Sequence, residues 1–207
     1  MMMEEKEINE KESLEIISRM IQSTKDKIRV VSGKKLFCFG YFSAFLGVVI
    51  YALSALTSNY PWFFGWLLIY FVGLLLLLLP FNKRIEVYTY TDRLVGKVWK
   101  VIICLFLLTC GMMMVFQRIF DSSLIGLLMI PFPILFASIG LTVSGIIIRE
   151  RSLQYFPMIS FCIAFYMILE LFVNVEPTIT WHLLMSLSFV FMMIFPGHIL
   201  YHKAKKR

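Results

Sequence analysis

WFFGWLLIYFVGLLLLLL, residues 62 to 79, is a run of eighteen residues with no charge and no amide, and Pro80 and then Lys83-Arg84 follow it. A bilayer core of about 30 Å takes roughly 20 apolar residues as a helix, so the run is close to the length of one crossing. A basic pair just past such a run marks the cytoplasmic end of a membrane helix. The run therefore names the solvent, lipid, and the side on which the chain emerges.

The composition agrees. Of 207 residues 59% are hydrophobic and 16% charged, with a mean hydropathy of +0.81, against about half and about a quarter in a soluble domain. The length suits one bundle of roughly five to seven spans and leaves no room for a second globular domain. The formal net charge of +7 sits at the ends of apolar runs, where orientation and anionic head groups account for it; the expected partner is the bilayer and not nucleic acid. Cys38, Cys104, Cys110 and Cys162 fall within apolar runs, with no CxxC pair and no nearby His, and read as packing residues.

Working back from the run, residues 36 to 82 contain no charge, which is too long for one span and right for two joined by a turn at Thr57-Ser58-Asn59-Tyr60-Pro61. The first of them, 36 to 56, carries Gly40, Ser43, Ala44, Gly47, Ser54 and Ala55, small residues at three- and four-residue steps that allow close helix approach. Before it, residues 1 to 35 open with a capping signature at Asn9 and Glu12. Leu14, Ile17, Ile21, Ile28 and Val31 then recur at three-, four- and seven-residue steps, with Thr24 filling the gap. This predicts an amphipathic helix, either lying on the bilayer or docking a partner through Leu14, Ile17, Ile21 and Ile28. Its first half holds six Glu against two Lys, its second six Lys or Arg against one Asp, which suits the helix dipole and puts the basic half at the membrane surface.

Working forward, residues 80 to 97 carry Lys83, Arg84, Arg93 and Lys97, and Thr89 with Asp92 caps a helix starting near Tyr90 that enters the bilayer at Trp99. Further spans are expected at about 98 to 116, 124 to 148, 153 to 173 and 178 to 201, with Pro131 and Pro133 kinking the fourth. Residues 203 to 207 form a basic tail. Nineteen of the twenty Lys and Arg then fall on one side, Arg118 being the exception. The expected fold is all-α: a polytopic membrane helix bundle of six transmembrane helices as three hairpins, 36 to 202, plus the N-terminal cytoplasmic amphipathic helix, with both termini cytoplasmic in an inner membrane.

Polar residues inside the spans are few. Glu170 is the only acid within one, and His182 lies at similar depth across a short hairpin, so the two form a candidate intramembrane polar pair, structural or proton-handling. His198 and His202, four apart, share a helix face as two metal ligands do, although no third ligand is specified. HExxH, GxSxG and P-loop motifs are all missing, so no enzyme and no cofactor is expected.

Asn9-Glu10-Lys11-Glu12-Ser13-Leu14, Tyr90 to Trp99 (YTDRLVGKVW) and the basic end after Pro196-Gly197 resemble a group of uncharacterised bacterial six-span integral membrane proteins of about this length. The resemblance implies no activity; it implies that the cytoplasmic segments are the group's signature. The expected function is a non-enzymatic interaction or signalling component whose cytoplasmic face meets a protein partner or another copy of itself. The alternatives are a small transporter or channel component using Glu170 and His182, and an intramembrane metal-dependent enzyme using His198 and His202.

Overall fold

The computed structural model describes residues 10–57, 65, 66, 68, 90–120, 127–173 and 179–205. Among them there is no strand. The helices are α1 (Glu10–Thr57), α2 (Tyr90–Phe120), α3 (Pro131–Ile148), α4 (Arg151–Val173), α5 (Thr180–Phe189), a π-helical turn (Val190–Ile194) and α6 (Phe195–Lys205). α5, the π turn and α6 run on without a gap and form one C-terminal rod. Five stretches are long and apolar enough to cross a membrane: Leu36–Thr57, Arg93–Phe120, Pro131–Ile148, Arg151–Val173 and Thr180–Lys203. They coincide with five of the six expected spans. The other, 62 to 79, lies outside the described residues except for Gly65, Trp66 and Leu68, as do the capping residues Asn9 and Thr89 and most of the 80 to 97 segment.

α1 differs from expectation in having no break between the leader and the first span. At about 1.5 Å per residue its 48 residues make a helix on the order of 70 Å long, more than twice a bilayer core. One face of it is lined by small residues every seventh position. A methyl group added at Gly33 would lie 3.0 Å from the Gly197 carbonyl oxygen, and one at Gly40 would lie 2.9 Å from the Met193 Cβ. At Gly47 it would run into the Ser186 hydroxyl, and Ser54 continues the series as a buried residue. Seven residues are nearly two helical turns, so the face stays in line with the rod. Gly33 thus belongs to the packed interface although it precedes the apolar run. Since Gly33 faces Tyr201 and Gly47 faces Ser186, α1 and the rod are antiparallel, and Glu10 and Lys205 emerge at the same end.

α3 and α4 form a close hairpin. Arg149 takes the left-handed conformation at φ 60° and ψ 42°, and its N–H reaches back to the carbonyls of Gly145 and Ile146. The Glu150 N–H and the Gln154 side-chain amide both donate to the Gly145 carbonyl, at 2.9 and 3.1 Å. A Cβ at Gly145 would sit 2.6 Å from the Leu153 carbonyl carbon, so only glycine lets the two helices meet there. At the other end of α3 the regular helix is interrupted just before the prolines: Leu127 is helical, and the residues ahead of it lie outside the described ones. Pro131 occupies the first helical turn, after a turn at 128–130, where its missing N–H costs no helical bond. The regular helix from Pro131 on is 18 residues, about 27 Å, close to the thickness of a bilayer core.

The π turn sits just before Pro196. The Phe195 N–H bonds to the Val190 carbonyl, five residues back. In a regular helix the Pro196 ring would crowd the Met192 carbonyl and offer it no donor; widening the turn relieves the crowding. α4 braces this point, with the Ser160 hydroxyl donating to the Ser188 carbonyl at 2.8 Å and Phe156 stacked on Phe195 at 5.5 Å. The core runs through Ile134, Ala164, Met167, Met192 and Trp181, all nearly inaccessible. α2 packs against α3 and leaves most of its apolar side chains exposed, Leu107 and Leu108 by more than 60%.

Candidate functional site

Polar side chains gather at the two ends of the α1–rod interface. At the end far from the termini, α5 carries Trp181 and His182 in succession. Neighbouring residues on a helix point about 100° apart, so the two cannot serve one partner. Trp181, 1% exposed, turns to α4 and donates its indole N–H to Glu170 Oε2 at 2.9 Å. His182 turns toward Trp66, whose indole N–H donates to His182 Nδ1 at 3.0 Å. An indole nitrogen can only donate, so Nδ1 carries no proton in this arrangement and Nε2 holds the imidazole hydrogen. Trp66 also stacks near Phe189, and the Ser186 hydroxyl donates to the His182 carbonyl at 3.0 Å beside Gly47.

Glu170 and His182 each meet an indole, Trp181 for the acid and Trp66 for the imidazole. Proximity across a short hairpin says nothing about which way each side chain faces around its helix. That Trp181 adjoins His182 in the sequence is the sign that the acid and the imidazole face different neighbours.

At the termini end, His198 stacks flat on Phe37, with centroids 4.7 Å apart and planes 4° from parallel, and its Nε2 lies 3.0 Å from the Tyr41 hydroxyl. His202 follows one turn on, 6.3 Å away from His198 between ring centroids. Among the described residues no group of three His, Cys, Asp or Glu gathers there or elsewhere. The rings of Phe37, Tyr41 and Tyr201 supply the surroundings instead. Nearby Glu150, whose side chain is 8% exposed, accepts from Lys203 Nζ at 3.1 Å, so the α3–α4 turn is tied to the end of α6. Neither Phe37 nor Tyr41 stood out in the sequence, where each is one aromatic among many.

A groove of about 320 Å³ lies between α2 and Leu128, lined by Thr109, Met112, Met113, Phe116 and Phe120. Its one hydroxyl, on Thr109, is engaged with the Leu105 carbonyl at 2.8 Å, so the groove offers a ligand only apolar contact.

The leader residues fall into two groups. Leu14 and Ile17 are exposed, by 66% and 52%, with Ile16 and Met20 beside them. The side chains of Ile21 and Ile28 lie outside the described residues, although both positions are helical. Glu15 and Arg19 pair along the same helix at 2.8 Å, both well exposed, so this face is solvated and worth little to stability.

The fold and these contacts define an all-helical bundle of multi-pass membrane type. No family model, no curated protein and no solved structure matches the chain.

Proposed function

We propose that this chain is a multi-pass inner-membrane protein with both termini in the cytoplasm, and that it serves as a non-enzymatic interaction or signalling component through its cytoplasmic face. The observation that carries this reading is the unbroken α1. Residues 10–32 extend about 35 Å along the helix axis beyond Gly33, and they hold Leu14, Ile17 and Met20 out from the bundle. A helix continuous with a membrane span cannot turn to lie flat on the bilayer, so these apolar residues face the aqueous phase. An exposed apolar stripe on a projecting helix is a binding surface for another helix. The polar residues within the spans support a structural part by contrast: Glu170, His182 and His198 are each held by an aromatic donor or hydroxyl at 2.9 to 3.0 Å.

The test is a crosslinking pull-down from intact membranes, comparing the full chain with one lacking residues 1 to 30. Partners captured by the full chain and lost on truncation are expected. Identical partner sets refute the docking role.

A further inference from the structure

We infer that the occupant of the α1 extension is a second copy of this chain, paired through it as a parallel two-stranded coiled coil. This rests on the docking role proposed above and names its partner. The packing of α1 settles which way the extension faces. With Leu14 placed at heptad position a, Gly33, Gly40, Gly47 and Ser54 all fall at f, and these are the positions buried against the rod. Positions a and d lie on the opposite side, with their midline roughly 170° from f within a heptad at 100° per residue. Cys38, Phe45 and Ala52, at d, are exposed accordingly. Leu14 and Ile17 occupy a and d in the extension, and residues 21, 24, 28 and 31 continue that register with Ile, Thr, Ile and Val. Leu14 and Ile17, both exposed, therefore lie on the side of α1 away from the chain's own bundle. Lipid covers such a face inside the bilayer, but above it the seam meets water.

Three features select a second copy. Insertion in one membrane gives every copy's α1 the same direction and depth, so two identical seams meet parallel and in register without further alignment. In that register the flanking g–e′ pairs are Ser13 with Ser18, Met20 with Lys25 and Lys27 with Ser32, so no like charges oppose each other. The acids Glu12, Glu15 and Asp26 fall at heptad positions b and f, outside the a/d register, and Glu15 pairs with Arg19. Finally, the β-branched Ile21 and Ile28 at a favour two strands. Residues 14 to 34 supply three heptads, few for a coil in free solution, and confinement to a membrane raises the effective concentration that such a short seam needs.

The experiment is cysteine crosslinking of the full chain in native membranes, with Cys38, Cys104, Cys110 and Cys162 replaced by Ser and one cysteine introduced at a time. Leu14→Cys, Ile17→Cys and Ile21→Cys are expected to give a disulfide-linked dimer on mild oxidation, at roughly ten times the yield of Glu12→Cys and Arg19→Cys on the outer face. Restoring Cys38 alone, at d near the membrane boundary, gives a second reading on a native side chain and is expected to crosslink as well. Equal yields at all positions, or no dimer at any, overturn the coil. If no dimer forms while truncation of residues 1 to 30 still removes a captured partner, self-pairing falls and the docking role stands with another protein as occupant. A periodic dimer signal upholds the coil even where the truncated chain captures the same foreign proteins.

Discussion

Gly145 and Arg149 occupy one turn and carry opposite sensitivities. Gly145→Ala forces a methyl group into the Leu153 backbone, where nothing flexible can give way; overpacking of this kind costs about 1–3 kcal/mol, and thermal unfolding in detergent should show it. Arg149→Gly removes a side chain from a left-handed backbone and is expected to raise stability by about 1 kcal/mol in the same assay. Glu170 gives a second contrast. Glu170→Gln keeps an acceptor for the Trp181 indole and should leave the fold intact, whereas Glu170→Leu strands a buried N–H and costs about 1–3 kcal/mol. Uptake or proton flux that collapses in the folded Glu170→Gln protein would revive the transporter alternative. The Ser43 hydroxyl is fully buried without a hydrogen-bond partner, so Ser43→Ala is expected to be neutral or stabilising by up to about 1 kcal/mol.

Among the elements, the seven-residue spacing on α1 is the feature that a substitution series can read. Gly40→Leu and Gly47→Leu should cost the folded protein, because Met193, Ile194 and Ser186 already fill the space. Gly96→Leu and Gly111→Leu on α2, where an added carbon meets nothing within 4 Å, should be tolerated and even favoured by helix propensity. The yield of monodisperse protein after solubilisation separates the two pairs. Span limits were legible in the sequence wherever charges bracket an apolar run: 36 to 56 and 153 to 173 fall within two residues of Leu36–Thr57 and Arg151–Val173. They were less legible where proline acts. Within 124 to 148 the turn at 128–130 separates the helical Leu127 from the 18-residue helix that begins at Pro131. The π turn before Pro196 was not legible, since no side-chain pattern announces a change of hydrogen-bond register. Gly33 was hidden for a different reason: it lies among lysines and serines, and its role comes from spacing to Gly40 and Gly47 that crosses the boundary between charged and apolar sequence.

For the whole molecule, the charge asymmetry makes a topological prediction that no side-chain contact can make. Reporter fusions after Thr57, Asp121 and Glu176 are expected to signal from the non-cytoplasmic face, and one of the three signalling from the cytoplasm breaks the six-span scheme. Glu170 and His182 belong to the end far from the termini, while His198, His202 and the Glu150–Lys203 pair close the end near them. Which residues share an end follows from span order and was open to a reader of the sequence. Which of them touch depends on rotation about each helix axis, and that is set by packing at Gly40, Gly47 and Gly145.

The unbroken α1 also has a mechanical meaning. A shaft without a hinge carries torque: a small rotation of its membrane-embedded half against the rod turns the far tip through the same angle, and a small tilt is magnified by the lever arm into a displacement of several ångströms. The glycine track at positions 33, 40 and 47 offers little side-chain relief to resist such a slide. Inserting a Gly-Gly pair after Ser32 would make a universal joint of the shaft, uncoupling tip from span while leaving both in place.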